Sequence, residues 1–238
     1  GGAKLAAKAG HRIIHLKPSL VPLESDYPYV DDLQGLSLRN VQGTLFADGK
    51  KIASEFGEML FTHFGVSGPI ILSLSNNASQ ALADGKEVEL YIDLKPALSN
   101  EKLDARIQRD FVQYSRKQLV NGMKDLLPQR LIPVVCDMAY LDEEKFVNQI
   151  SREERQRLLQ TLKHFCVPIT GTRPIAEAIV TSGGVDVKEI NPKTMESKLV
   201  EGLYFAGEVM DVDGYTGGFN LQAAFSSGYA AGLAAANI

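Results

Sequence analysis

The sequence has 238 residues, 45% hydrophobic and 23% charged, with a formal net charge of -4. That apolar fraction buries enough surface to offset chain entropy, so disorder is excluded, and no apolar run approaches the roughly 18–20 residues of a bilayer span. A balance of 25 Lys and Arg against 29 Asp and Glu argues against general nucleic-acid binding and leaves room only for a local basic patch. Cys136 and Cys166 stand far apart with no C-x-x-C partner, so they read as reduced thiols of a cytoplasmic protein rather than metal ligands or a disulfide.

Ala3 to Ala9 reads as a short helix stopped at Gly10. His11 to Leu16 is β-like, and Pro18 and Pro22 restrict it to an edge or an extended run. From Leu36 onward the pattern is strand and turn. Asp48-Gly49 between apolar runs is a hairpin signal, and Glu58 to Phe64 reads as the next strand, closed by Gly65 and Gly68-Pro69. Pro69 suits a first helical turn, and Ile70, Ile71, Leu74, Ala78, Ala81 and Leu82 follow at helical spacing to Gly85. Glu87 to Leu94 alternates as a half-buried strand.

The middle of the chain turns helical. Ser99-Asn100-Glu101 opens a charged amphipathic helix towards Tyr114, and shorter pieces follow over Val120 to Leu127, Leu131 to Ala139 and Ser151 to Phe165. Ser151-Arg152-Glu153-Glu154 is a capping box. Cys166 to Gly171 and Ile175 to Thr181 resume the β pattern. Leu203-Tyr204-Phe205-Ala206 reads as a strand buried on both faces in a parallel sheet. After a Gly-rich loop, Phe219 to Ala236 reads as a helix of small residues able to approach a sheet or ligand closely.

The richest segment for chemistry is Gly207 to Asn220, leading from a strand end through that loop to a helix N-terminus. Ligands of open α/β sheets bind in such a crevice, and exposed N–H groups with the positive dipole end favour an electron-rich group. Gly217 and Gly218 allow close backbone approach to a flat ring or phosphate. The carboxylates of Glu208, Asp211 and Asp213 suit sugar hydroxyls, or a calcium or magnesium ion. The same residues also read as a glycine turn with solvated acids.

Thr181-Ser182-Gly183-Gly184-Val185, Glu189 to Ser197, Gly202 to Glu208 and Asp211 to Gln222 together resemble the C-terminal signature of the BaiN-like (YhiN-type) NAD(P)/FAD-dependent oxidoreductases. Leu60 to Pro69 is similar to a motif in that family's inserted domain. The resemblance implies an α+β chain: a β-barrel-like insert domain (11–98 and 165–182) with a helical subdomain (99–164), flanked by a Rossmann-like FAD-binding domain's segments (1–10 and 183–238). It implies FAD contacts at Gly207 and Glu208, at the helix start Gly217, Gly218, Asn220 and Leu221, and at the return loop Thr181, Gly183 and Gly184. Backbone donors at that helix start would stabilise charge on a reduced flavin.

The family's N-terminal G-x-G-x-x-G strand and helix has no counterpart here, so the chain is expected to be a fragment, with weak or no FAD binding and no activity by itself. The resemblance gives the intact protein NAD(P)H and a small-molecule substrate as partners, with self-association through the incomplete sheet as a further expectation. An alternative is a non-catalytic interaction module whose Lys102, Arg106, Arg109, Arg116 and Lys117 touch phosphates. Elsewhere, His63 reads as a satisfied strand histidine or a proton donor, and Tyr215 as an aromatic lid or a substrate-orienting group. Arg152, Arg155 and Arg157 read as a solvated face and Arg173 as a surface ion pair. No Ser/His/Asp spacing points to a hydrolase.

Overall fold

The computed structural model describes residues 1–236. In chain order its helices and strands are α1 (Gly2–Lys8), β1 (Ile13–Ser19), β2 (Leu23–Glu24), α2 (Val30–Leu33), β3 (Ser37–Ala47), β4 (Lys50–Thr62), β5 (Gly65–Ser67), α3 (Pro69–Ala83), β6 (Val88–Asp93), α4 (Asn100–Gln113), α5 (Leu119–Gly122), α6 (Leu131–Met138), α7 (Arg152–Lys163), β7 (Phe165–Ile169), β8 (Gly171–Thr172), β9 (Val180–Val185) and α8 (Phe219–Ala236). They divide into two compact units, Leu23–Gly171 and Gly1–Pro22 with the chain from Thr172 onward. The fold is α+β, with a barrel-like sheet and a helical segment.

In the Leu23–Gly171 unit the sheet order is β7-β6-β3-β4-β5-β2, with the two-residue β8 beyond β2. Strands β6 and β7 alternate buried and half-buried positions, the period that one covered face requires. Asp48 and Gly49 both have positive φ, as a primed hairpin turn needs, and Ala47 pairs with Lys50 across it. The expectation of a separate strand over Glu58 to Phe64 is corrected. β4 runs to Thr62, because β3 pairs with it from Ala47↔Lys50 to Ser37↔Leu60 across irregularities between Leu38 and Val41 and between Leu45 and Phe46.

Pro69 opens α3 at its first turn, and Ile70, Ile71, Leu74, Ala78 and Ala81 are buried. Ser99 caps α4 by accepting from Lys102 N, and Ser151 and Glu154 form both bonds of the capping box on α7. Leu45, Phe61, Leu90, Ile92 and Phe165 from the sheet share one core cluster with α3 and with Leu103, Ile107, Leu158 and Leu162. The helices of 99–164 therefore have no core apart from that of the strands. The unit also begins and ends side by side, Thr170 N donating to Glu24 O at 2.9 Å.

In the other unit β1 pairs antiparallel with β9, and Ala6 of α1 joins Val185, Ile190, Phe205 and Met210 in a small core. Residues 11–22 and 172–182, which the resemblance groups with the β-rich insert, lie here, where β1 and β9 form a two-stranded sheet. The parallel strand expected over Leu203 to Ala206 is also corrected. That segment is extended, held by a single antiparallel bridge between Glu196 and Tyr204, and no parallel neighbour lies beside it among the described residues. Helix α8 has the predicted limits and buries only Ser227 and Ala231. Among the described residues no helix is long and apolar enough to cross a membrane.

Candidate functional site

The loop between residues 207 and 218 is fixed to β9 from below. Asp211 N donates to Val185 O at 2.9 Å, and Met210 makes a parallel bridge to Val185. Its carboxylates face the chain's own donors. Glu208 accepts from Thr181 N at 2.5 Å and from Thr181 Oγ1 at 3.0 Å, Asp211 from Gly183 N at 3.1 Å, and Asp213 from Ser19 Oγ at 2.7 Å. Acids read as sugar acceptors or cation ligands are thus tethers that hold the loop on β1 and β9.

The upper half of the loop is tied to α8. Asn220 accepts from Gly214 N at 2.8 Å and donates to Gly214 O at 2.9 Å, so one side chain closes the loop as a strand partner would. Gly207 N donates to Ser227 Oγ at 3.0 Å, and that hydroxyl donates to Ala223 O at 2.7 Å. Gly217 and Gly218 have φ of +104° and +91°, conformations that favour glycine, and they deliver the chain into the first turn of α8. N–H groups of a first helical turn have no intrahelical acceptor and carry the positive end of the helix dipole.

Between these segments lies a cleft of about 470 Å³, within the range of small-molecule sites. It is lined by the apolar Leu20, Ile179, Val180, Met210, Val212 and Leu221 together with Gly207, Glu208, Gly217, Gly218 and Asn220. Six of the expected flavin-contact residues therefore line one cleft: Gly207, Glu208, Gly217, Gly218, Asn220 and Leu221. Thr181, Gly183 and Gly184 lie beneath it on β9. A Cβ on Gly183 would stand 2.4 Å from His15 O and one on Gly184 2.5 Å from Val209 O, so both positions are needed for backbone packing. Ala223 and Ala224 also line the cleft, as the small-residue character of α8 indicates. Leu20, Ile179 and Val180 carry no local signal, because β1 and β9 bring them there from remote parts of the chain. An apolar slot closed by a glycine-rich helix start fits a flat heteroaromatic ring with one electron-rich edge, the chemistry of a flavin ring.

Other singled-out residues fall elsewhere. His63 is exposed, its ring edge-on to Phe64 at 4.9 Å, and Tyr215 lines the cleft while 62% exposed. Arg173 pairs with Glu177 at 2.7 Å, as expected of a surface ion pair. The reading of Arg155 and Arg157 as a purely solvated face is corrected: Arg155 binds Asp104 at 2.8 Å and Arg157 caps the carbonyls of Ala139 and Tyr140. Burial pushes the Cys136 thiol up to about 12 and that of Cys166 to about 11, so neither is a ready nucleophile. Three remote segments also build a Glu189–His11–Ser197 line, with His11 Nδ1 and Nε2 each 2.9 Å from their partners. Ser197 is buried and its Oγ already accepts from Leu199 N and Val200 N, so the line is a structural clasp and no hydrolase triad.

Residues 17–180 match the family described as HI0933-like protein barrel and H2TH domain. The chain is 36% identical over 235 residues, 98% of its length, to a ribosomal RNA dihydrouridine synthase of Haemophilus influenzae, and 33% identical over 229 residues (96%) to one of Escherichia coli. A 3-dehydro-bile acid delta(4,6)-reductase of Clostridium scindens is 28% identical over 237 residues, 99% of this chain. The matches cover 55%, 54% and 57% of those proteins respectively, so the chain spans slightly more than half the length of the curated relatives it matches. In class, the named relatives are two dihydrouridine synthases and a reductase. The chain belongs to the HI0933-like family, in keeping with its resemblance to BaiN-like proteins.

Proposed function

We propose that this chain is the barrel-bearing part of a longer, FAD-dependent reductase that saturates the C5=C6 bond of uridine in ribosomal RNA, drawing electrons from NAD(P)H. The observation that carries this reading is the identity of 36% and 33% to two ribosomal RNA dihydrouridine synthases along nearly the whole chain. Dihydrouridine differs from uridine by one hydride and one proton, and a bound flavin supplies the hydride. The chain's own contribution is positional. The apolar wall of Met210, Val212 and Leu221 excludes water from a ring, while the glycine-enforced helix start offers N–H donors to its electron-rich edge. The tethers at Glu208, Asp211 and Asp213 keep these donors in place before any ligand arrives. On this reading RNA takes the place of the small-molecule substrate expected from the resemblance, and the protein works in the cytoplasm.

The test is deletion of the gene in its source organism, followed by mass spectrometry of ribosomal RNA nucleosides. Loss of a dihydrouridine, restored by the gene but not by a Gly217→Val, Gly218→Val form, is the expected result. Unchanged dihydrouridine overturns the RNA substrate, and reduction of a conjugated steroid ketone by the same protein would replace it.

A further inference from the structure

The helical part of the Leu23–Gly171 unit carries many cations, and most face a carboxylate or carbonyl. Arg106 binds Asp110 at 2.7 Å, Lys145 binds Glu154 at 2.7 Å, Arg155 binds Asp104 at 2.8 Å and Lys163 binds Asp93 at 2.5 Å. Arg116, Lys117 and Lys124 differ. They are exposed, and none of the three makes an ion pair among the described residues.

These three cations are gathered by backbone structure. The turn after α4 runs antiparallel to the segment before residue 148: Leu119 N donates to Lys145 O and Val147 N to Lys117 O, both at 2.9 Å, and Gln118 bridges Phe146. The result is an open hollow lined by Arg116, Lys117, Gln118, Asn121, Lys124 and Phe146. Phe146 is 47% exposed in the midst of the cations. The neighbouring acid, Asp125, accepts a hydrogen bond from the Tyr114 hydroxyl, and Lys117 Nζ sits 4.7 Å from the centre of that Tyr114 ring. The lining of the hollow itself carries three cations and no carboxylate, on a chain whose net charge is -4.

Cations without a carboxylate partner, an exposed aromatic ring and two side-chain amides form the combination that grips unpaired nucleic acid. Cations neutralise phosphates, a ring stacks on a base, and amides meet base edges. We propose that this hollow is a docking site for an unpaired stretch of RNA, with Arg116, Lys117 and Lys124 on successive phosphates and Phe146 stacked on a base. The proposal rests on the RNA reading above and extends it to a surface apart from the cleft. Of the basic set read from sequence it keeps Arg116 and Lys117 and adds Lys124, while Arg106 is engaged by Asp110 and Arg109 lies 3.9 Å from the same carboxylate.

The experiment is fluorescence anisotropy of the full chain with a labelled mixed-sequence RNA of about twelve nucleotides, single-stranded or as a duplex, over about 50–300 mM KCl. Changing Arg116, Lys117 and Lys124 together to Ala should weaken single-strand binding about 10- to 100-fold at low salt. It should also reduce the slope of log affinity against log salt by about 2, the value for three phosphate contacts. Phe146→Ala should cost about 5- to 10-fold with the slope unchanged. The control changes Lys50 and Lys51, exposed cations elsewhere in the unit, to Ala and should have little effect. Absence of RNA binding by the wild-type chain overturns the dock, as does a triple variant within about twofold of wild type. Equal losses in the control, or a duplex bound as tightly as the single strand, overturn it too. If the mapped binding holds while the gene deletion leaves dihydrouridine intact, the reductase reading fails and the dock stands. If dihydrouridine is lost on deletion but the triple variant restores it and binds RNA normally, the dock fails and the reductase reading stands.

Discussion

In the Leu23–Gly171 unit, sheet and helices send their apolar side chains into one cluster in which Phe61, Phe165, Leu45 and Ile92 are fully buried. In the unit built from the two ends of the chain, the buried cluster is Ala6, Val185, Ile190, Phe205 and Met210. There α8 leaves Leu221, Phe225, Tyr229 and Leu233 exposed by 63%, 69%, 74% and 54%, at intervals of four residues and so along one stripe. A monomer's surface rarely carries so continuous an apolar strip without a partner. The first unit is held by its own core, the second by tethers, clasps and glycine-permitted backbone contacts. The glycine-lined cleft belongs to the second, the proposed RNA dock to the first.

The comparison is broken most directly by deleting one aromatic from each unit. Phe61→Ala should cost about 3–5 kcal/mol of unfolding free energy, read as a fall in the urea midpoint. Phe225→Ala, at a side chain 69% exposed, should change it by less than about 0.5 kcal/mol. Equal effects would mean that α8 is packed as deeply as the barrel core. Next in size is Gly184→Ala, whose Cβ would lie 2.5 Å from Val209 O at a φ of +133°. It should cost about 3 kcal/mol, with hydrogen exchange accelerated in β1 and β9 but not in β3 or β6. His11→Ala leaves Glu189 and Ser197 without their shared partner and should cost about 2 kcal/mol, confined to the same amides.

The smallest effect is a pH dependence in the first unit. The Lys145 ammonium holds the Glu154 carboxyl below its usual range, and Arg155 does the same for Asp104. A lowered carboxylate value gives stability that is present above the unfolded-state value near 4 and lost as pH falls through the folded value. Glu154→Gln should therefore cost below about 1 kcal/mol at neutral pH and flatten the acid limb of a stability–pH curve. An unchanged acid limb would remove this pair from the account of the unit's stability.

Local signals were readable where a residue acts on its own neighbours. Pro69 at a first turn, the Ser151 box, Ser99 as a cap, Asp48-Gly49 in a hairpin and the limits of α8 each depend on a few consecutive positions. Contacts closed by the fold were hidden. Ser197 meets His11 from 186 residues away and Arg155 meets Asp104 from 51, and no spacing rule announces either. The glycine cradle of the cleft was visible as Gly217-Gly218 before a helix, but its apolar wall at Leu20, Ile179 and Val180 was not. Leu203 to Ala206 misled because an apolar run signals burial without saying what covers it; here only Phe205 is buried. Composition shows Glu208, Asp211 and Asp213 as acceptors, but not that donors on β9 and Ser19 meet them within the chain.

The hydrogen bond from Thr170 N to Glu24 O means that the larger unit leaves the chain where it entered it. Pro22 and Thr172, the flanking residues, are correspondingly near in sequence logic though separated by an entire domain, and Arg173 N donates to Pro22 O at 3.0 Å. Such a unit is a cassette. Its two junctions lie side by side, so the remaining polypeptide has only a short span to cross between them.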